Sequence, residues 1–222
     1  MEESRPDDLA FSVVRTSMLS RDDEDALARL FAQTYRDADV DYLRDGLGRL
    51  DTIALAHHGG SLVGFALAEG RHLDLPRLGR QVVRLGGLAC VAPELRRRGI
   101  LRTLQERAFL AGPRDAPGLA CGRMAHPATY RHLSRLPGAV PRIGVPPTPW
   151  QQEVGAAVAA AYGVARFDPE TFVCAGRGRP IGHPLLDVEA TPDEWALFER
   201  IDREKGESLL GMAWVRDVPA GW

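Results

Sequence analysis

Apolar and polar positions recur along this chain with two periods, and the changes of period mark out the elements. "FSVVRTSML" (11–19) reads as a first strand. Ser20 then precedes Arg21-Asp22-Asp23-Glu24-Asp25, an acid-rich first turn that suits the positive end of a helix dipole. Ala26, Leu27, Leu30, Phe31, Thr34 and Tyr35 fall on one face of that helix, and a second short helix fits 40–50. "TIALAHH" (52–58), Gly59-Gly60 and "SLVGFALAEG" (61–70) form a hairpin pattern. "RQVVRLGGLACVA" (80–92) is a longer strand, in which Gly86-Gly87 signals a bulge or a close backbone approach.

The second half alternates helices and strands. A helix over 99–111 places Leu101, Leu104, Ala108 and Ala111 on one face. "GLACGRMA" (118–125) is a buried strand, and "PATYRHLSRL" (127–136) is a helix opened by Pro127. A loop over 137–149 holds five prolines, and a helix over 150–162 follows. "FDPETFVCAG" (167–176) contains a turn and a strand. Beyond it come "PLLDVEA" as a strand, a helix opened by the capping box Thr191-Pro192-Asp193-Glu194, and "SLLGMAWV" as a strand. The expected fold is α/β: an α+β mixed sheet covered by helices on both faces, with a C-terminal β-α-β addition. The expected organisation is a tail over 1–10, a main domain over 11–176 and a C-terminal extension over 177–222 packed on the same domain.

Composition narrows the function classes. The 222 residues carry a formal net charge of −2, so no overall field draws the chain to nucleic acid or an anionic membrane. Neither is expected as a partner. Cys90, Cys121 and Cys174 are widely spaced, with no pair at zinc spacing, which fits buried free thiols in a reducing cytosol and no metal site. "MEESRPDDLAF" lacks the apolar core of a signal peptide, and no apolar run is long enough to span a bilayer. A cytoplasmic location is expected.

One local feature stands against this ordinary background. In "VAPELRRRGILRTL" (91–104) a strand ends, Pro93 stops further pairing, three arginines follow, and a helix starts at about Gly99. The first amides of a helix have no internal partner and, with the dipole, form a site for phosphate oxygens. Gly99 removes a side chain where a phosphate would approach the backbone, and arginines add charge-assisted hydrogen bonds. The alternatives are a solvated turn and a nucleic-acid patch. No Gly-Lys-Ser/Thr follows, so this is not a P-loop, and no G-x-G-x-x-G opens the helix.

With Val91-Ala92-Pro93 followed by Arg96-Arg97-Arg98-Gly99-Ile100-Leu101, the chain resembles the GNAT superfamily of acyl-CoA N-acyltransferases. That family has a strand, a Val-x-Pro step and Gln/Arg-x-x-Gly-x-Gly/Ala opening a helix, and the element order matches over about 11–176. The resemblance implies that the amides around Arg97, Arg98, Gly99, Ile100, Leu101 and Arg102 hold the pyrophosphate of acetyl-CoA. It implies that the backbone of Ala89, Cys90 and Val91 pairs with the pantetheine arm. It also implies direct acyl transfer from the thioester to an amine on a small molecule or a protein. Leu101 stands where the family has Gly or Ala, His126 where it often has Asn, and Tyr130 three residues before the usual Tyr, whose place Leu133 takes.

Acyl transfer to an amine needs a base, a proton donor for the thiolate and donors for the oxyanion. Strand amides near Val91 are candidates for the last. Glu69, placed after the hairpin's second strand, is the carboxylate best positioned as base, with His72 and Asp74 close behind; its bland alternative is a solvated strand-end charge. His126 is a pantetheine ligand, a base or a structural histidine, and Tyr130 is the candidate acid. Cys90, Cys121 and Cys174 read as core. The alternative function is an acyl-CoA-binding module without transfer. The C-terminal segment either completes the sheet or pairs with a second subunit, which would make a homodimer.

Overall fold

The computed structural model describes residues 9–111, 118–186, 189–215 and 217–222; of the tail expected over 1–10, residues 1–8 lie outside them, while Leu9 and Ala10 open the first strand. In chain order the elements are β1 (Leu9–Arg15), α1 (Arg21–Thr34), β2 (Tyr35–Arg36), α2 (Val40–Arg49), β3 (Thr52–His58), β4 (Ser61–Leu75), β5 (Gly79–Val91), α3 (Ile100–Leu110), β6 (Leu119–Met124), α4 (Pro127–Leu133), α5 (Pro149–Ala161), β7 (Phe167–Asp168), β8 (Val173–Cys174), β9 (His183–Pro184), α6 (Pro192–Ala196) and β10 (Ser208–Trp214). Hydrogen bonding orders eight strands as β1-β3-β4-β5-β6-β10-β8-β7, and β2 pairs with β9 in a separate ribbon. Residues up to 69, 86–112 and 182–185 make one compact unit; residues 70–85, 113–181 and 186 onward make another.

In the first unit, α1 begins where Ser20 and Asp23 satisfy each other's backbone amides in a capping box. It buries Leu27, Leu30, Phe31 and Thr34. β1 pairs antiparallel with β3 from Leu9↔His58 to Arg15↔Thr52. β3 pairs with β4 from Thr52↔Ala68 to His58↔Ser61, and the register slips between Ala56 and His57. Val63 is the unpaired residue of that slip, and its carbonyl accepts from the Ala92 amide at 2.8 Å. At Gly87 the expectation of a close approach describes the structure: a Cβ there would stand 2.3 Å from Leu50 Cδ1 and 3.0 Å from Leu67 Cβ. Gly64 does the same for α3, since a Cβ would meet Leu104 Cδ1 at 3.0 Å and Ile100 Cγ2 at 3.5 Å. The missing side chain lets α3 lie close on β4.

The second unit is built on β10. It pairs antiparallel with β6 from Leu209↔Met124 to Trp214↔Leu119, and with β8 at Ser208↔Cys174. All seven of its residues are buried. β10 lies between β6 and β8, so the expected C-terminal extension over 177–222 supplies an interior strand of the sheet. "PLLDVEA" does not form a strand of that length; among the described residues of this stretch His183–Pro184 pairs, with Tyr35–Arg36. Residues 187 and 188 lie outside the described residues. α6 has the expected Thr191–Glu194 capping box but spans five residues.

Packing of this unit centres on Phe172 and Trp214, both fully buried. Gly155 on α5 faces Phe172 and Phe167, with a Cβ position 2.9 Å from Phe172 Cε1. Phe172→Ala should cost about 3–5 kcal/mol of unfolding free energy, the usual loss for a buried aromatic, read as a lower urea midpoint at unchanged slope. A loss below about 1 kcal/mol would show that α5 and β8 are not held together by this ring.

Candidate functional site

β5 runs into the basic turn without a break. After Ala92, Pro93–Leu95 makes one 3-10 turn and buries Leu95. The three arginines then part. Arg96 turns inward: its Nε donates to the Val91 carbonyl at 3.1 Å, and its guanidinium also donates to the Leu185 carbonyl. Arg97 and Arg98 are exposed. Arg97 adopts the left-handed region at φ 65° and Gly99 at φ 77°. Such a conformation costs an ordinary residue about 1–2 kcal/mol, so the anchored neighbour Arg96 and the unhindered Gly99 hold the turn in its shape. Three identical residues in sequence carry no sign of which one turns inward.

α3 starts at Ile100 with Gly99 as its N-cap, and no side chain caps it. A Cβ at Gly99 would have nothing within 4 Å. The Gly99 carbonyl already accepts from Thr103 at 3.1 Å, while the first amides face outward without a capping oxygen. Open space, outward amides and two exposed arginines at one helix start form a receptacle for phosphate oxygens. The helical face differs from expectation at both ends: Ile100, Leu104 and Ala108 are buried, on an i, i+4, i+8 row, while Leu101 and Ala111 are exposed. Leu101 is 38% exposed, so its side chain stands at the helix start rather than in the core. Arg102 points away and pairs with Glu106 at 3.7 Å.

The strand residues before the turn are arranged by alternation. The Cys90 carbonyl lies 3.3 Å from the Cβ position of Gly64, and the Ala92 amide bonds to Val63; both face β4. Successive strand residues direct their amides and carbonyls to opposite edges, so Ala89 and Val91 present theirs away from β4. Of these the Val91 carbonyl is taken by Arg96. The Cys90 thiol is buried, and burial pushes it up to about 12, against the weaker pull of a Thr34 hydrogen bond and the Arg96 charge. It is core, as are Cys174, raised by burial to about 11, and Cys121, raised further still.

Glu69 belongs to the same unit as the turn. β4 continues to Leu75, so Glu69 sits within the strand and is half-buried, rather than an exposed residue after its end. His72 and Asp74 are exposed further along the same strand.

His126 and Tyr130 belong to the other unit. His126 is the N-cap of α4, its Nδ1 accepting from the Ala128 amide at 3.1 Å. An Nδ1 acceptor fixes the neutral ring with its proton on Nε2. Burial, then the charges of Arg203 and Arg131, push its pKa below the ordinary value, with Glu194 opposing. Trp195 meets the imidazole edge-on at 5.0 Å, and Arg203 lies 4.3 Å over the Trp195 ring. The structural histidine, one of the three readings left open, is the one this geometry serves. The Tyr130 hydroxyl donates to the Pro141 carbonyl, and burial raises its pKa. Tyr130, the candidate acid, thus donates its hydroxyl proton to a carbonyl within the fold. Among the described residues no group of three His, Cys, Asp or Glu side chains stands together as a metal site. Nor is any described helix long and apolar enough to cross a membrane.

No family model matches the chain, and no curated protein matches it. Its neighbours among solved structures include GNAT N-acetyltransferases. The ribosomal-protein-S18-alanine N-acetyltransferase of Escherichia coli is 12% identical over 96% of this chain and 99% of its own, at a TM-score of 0.44. A GNAT family N-acetyltransferase of Escherichia coli solved with CoA is 15% identical over 56% of this chain and 66% of its own, at 0.42. A ribosomal-protein-alanine N-acetyltransferase of Brucella melitensis biovar Abortus 2308 is 24% identical over 46% and 69%, at 0.32. Scores this low carry no inference about activity, which rests on the chain's own residues.

A neutral folded-state His126 ties stability to pH. Its lowered pKa means that the unfolded chain binds the proton more readily. The contribution is therefore complete above the ordinary histidine pKa of about 6.5 and is lost as pH falls through the folded-state value. His126→Asn keeps a capping side chain and should flatten that part of the profile, measured as unfolding midpoint between pH 7.5 and 4.5. An unchanged slope would show that His126 does not titrate with folding.

Proposed function

We propose that this chain is an acyl-CoA-dependent N-acetyltransferase acting on an amine, small-molecule or protein-borne. The observation that carries the reading is the uncapped start of α3 at Gly99, open to solvent and flanked by exposed Arg97 and Arg98. The amides from Arg98 to Arg102 are assigned to the pyrophosphate of acetyl-CoA, and Arg97 and Arg98 add charge. The backbone groups of Ala89 and the amide of Val91, which face away from β4, are assigned to the pantetheine amides. Cys90 contributes packing beneath them.

Acetyl-CoA supplies the activated acyl group. In the transfer the amine nitrogen forms a bond to the acyl carbon, the carbon–sulfur bond breaks, the leaving thiolate takes up a proton to become the thiol of CoA, and the amine nitrogen gives one up. Glu69 is assigned the amine proton, directly or through water. With the Tyr130 hydroxyl and His126 Nδ1 engaged within the fold, solvent protonates the thiolate. That same engagement favours the second reading, an acyl-CoA-binding module without transfer.

Thiol release from acetyl-CoA over a panel of amines separates the two. The transfer reading expects amine-dependent release, with Glu69→Gln lowering kcat about 100-fold or more while CoA binding persists. Binding without amine-dependent release would establish the second reading. Full activity of Glu69→Gln would remove Glu69 as base.

A further inference from the structure

A cavity of about 160 Å³ opens in the second unit, between α4, the 139–143 segment and α6. An engineered protein cavity of roughly 150 Å³ accepts benzene, so this volume suits a single ring. Its walls are apolar: Pro127, the Tyr130 ring, Pro141, Ile143 and Leu197. Ile143 is 49% exposed at the rim. The Tyr130 hydroxyl donates to the Pro141 carbonyl and ties the 139–143 segment to α4.

The charges at the rim are unequal. Arg131 and Glu194 face each other with two nitrogens on two oxygens, and Arg131 also donates to the Glu189 carbonyl. That hydrogen-bonded pairing holds the Glu194 carboxyl at about 2, so the two charges cancel near neutral pH. Arg142 is different. Its Nε donates to the Ala139 carbonyl at 2.9 Å, which orients the guanidinium. Among the described residues no carboxylate pairs with it. The cavity therefore offers one ring-sized apolar volume and one unbalanced, oriented cation.

We propose that this cavity binds a small aryl carboxylate, its ring against Tyr130, Pro141 and Leu197 and its carboxylate on Arg142. An arginine fork matches a carboxylate with two parallel hydrogen bonds. The site is independent of the acyl-CoA reading, since none of its residues belongs to the α3 turn.

Ligand-observed NMR titration of the full chain with phenylacetate, phenylacetamide and phenethylamine tests this. Phenylacetate should saturate and bind about tenfold or more tightly than its amide, and phenethylamine should not saturate. Arg142→Gln should abolish the preference for carboxylate over amide, Arg142→Lys should retain part of it, and Leu197→Trp should weaken both ligands by filling the volume. Equal binding of phenylacetate and phenylacetamide would overturn the proposal. So would undiminished phenylacetate binding in Arg142→Gln, or no saturable binding by the parent chain.

Discussion

The close seating of α3 on β4 is the constraint on which the candidate site depends. Gly64 has no side chain, so Leu104 and Ile100 reach the strand backbone. That contact fixes where α3 begins, and the start of a helix is where unpaired amides point outward. Arg96 fastens the approach by bonding to the carbonyls of Val91 and Leu185. Between those anchors the chain passes through two left-handed residues, Arg97 and Gly99. A left-handed arginine persists only where its surroundings over-determine it. The result is a turn shaped before any ligand arrives, which lowers the ordering cost of binding an anion.

Chemistry beyond the turn is constrained by what the fold has already engaged. Three cysteines are buried with raised pKa values, so none offers a thiolate near neutral pH. Tyr130 and His126 both serve packing and capping. The proposed transfer, direct attack by an amine on the thioester, calls for no such nucleophile. Half-buried Glu69 is the carboxylate in the unit of the turn to which a proton is assigned.

Much of the architecture was legible because it is set by local rules. Ser20 before an acid-rich turn and the Thr191–Glu194 box announce helix starts, and reciprocal hydrogen bonds close both in the structure. The Gly59-Gly60 hairpin and the buried run of β6 follow from period and turn chemistry. What failed depends on distant partners. Ser208–Trp214 looks like part of an appendage because nothing near it in sequence says that it pairs with Leu119–Met124. On α3 the expected Leu104 and Ala108 are buried but Ile100 takes the place of Leu101, since both are strongly apolar and only Gly64 across the gap decides which turns in. Arg96 escaped notice for a similar reason, its acceptors lying at Val91 and Leu185.

The central claim is that the amides opening α3 hold a diphosphate. Isothermal titration of the chain with CoA, beside Gly99→Glu, tests it most directly. The variant places a carboxylate in the open space where the phosphates would lie. The account predicts a saturable exothermic isotherm for the parent chain and a loss of affinity of about 100-fold or more in the variant, from like-charge repulsion and backbone strain. No binding by the folded parent chain, or equal binding by the folded variant, would contradict it.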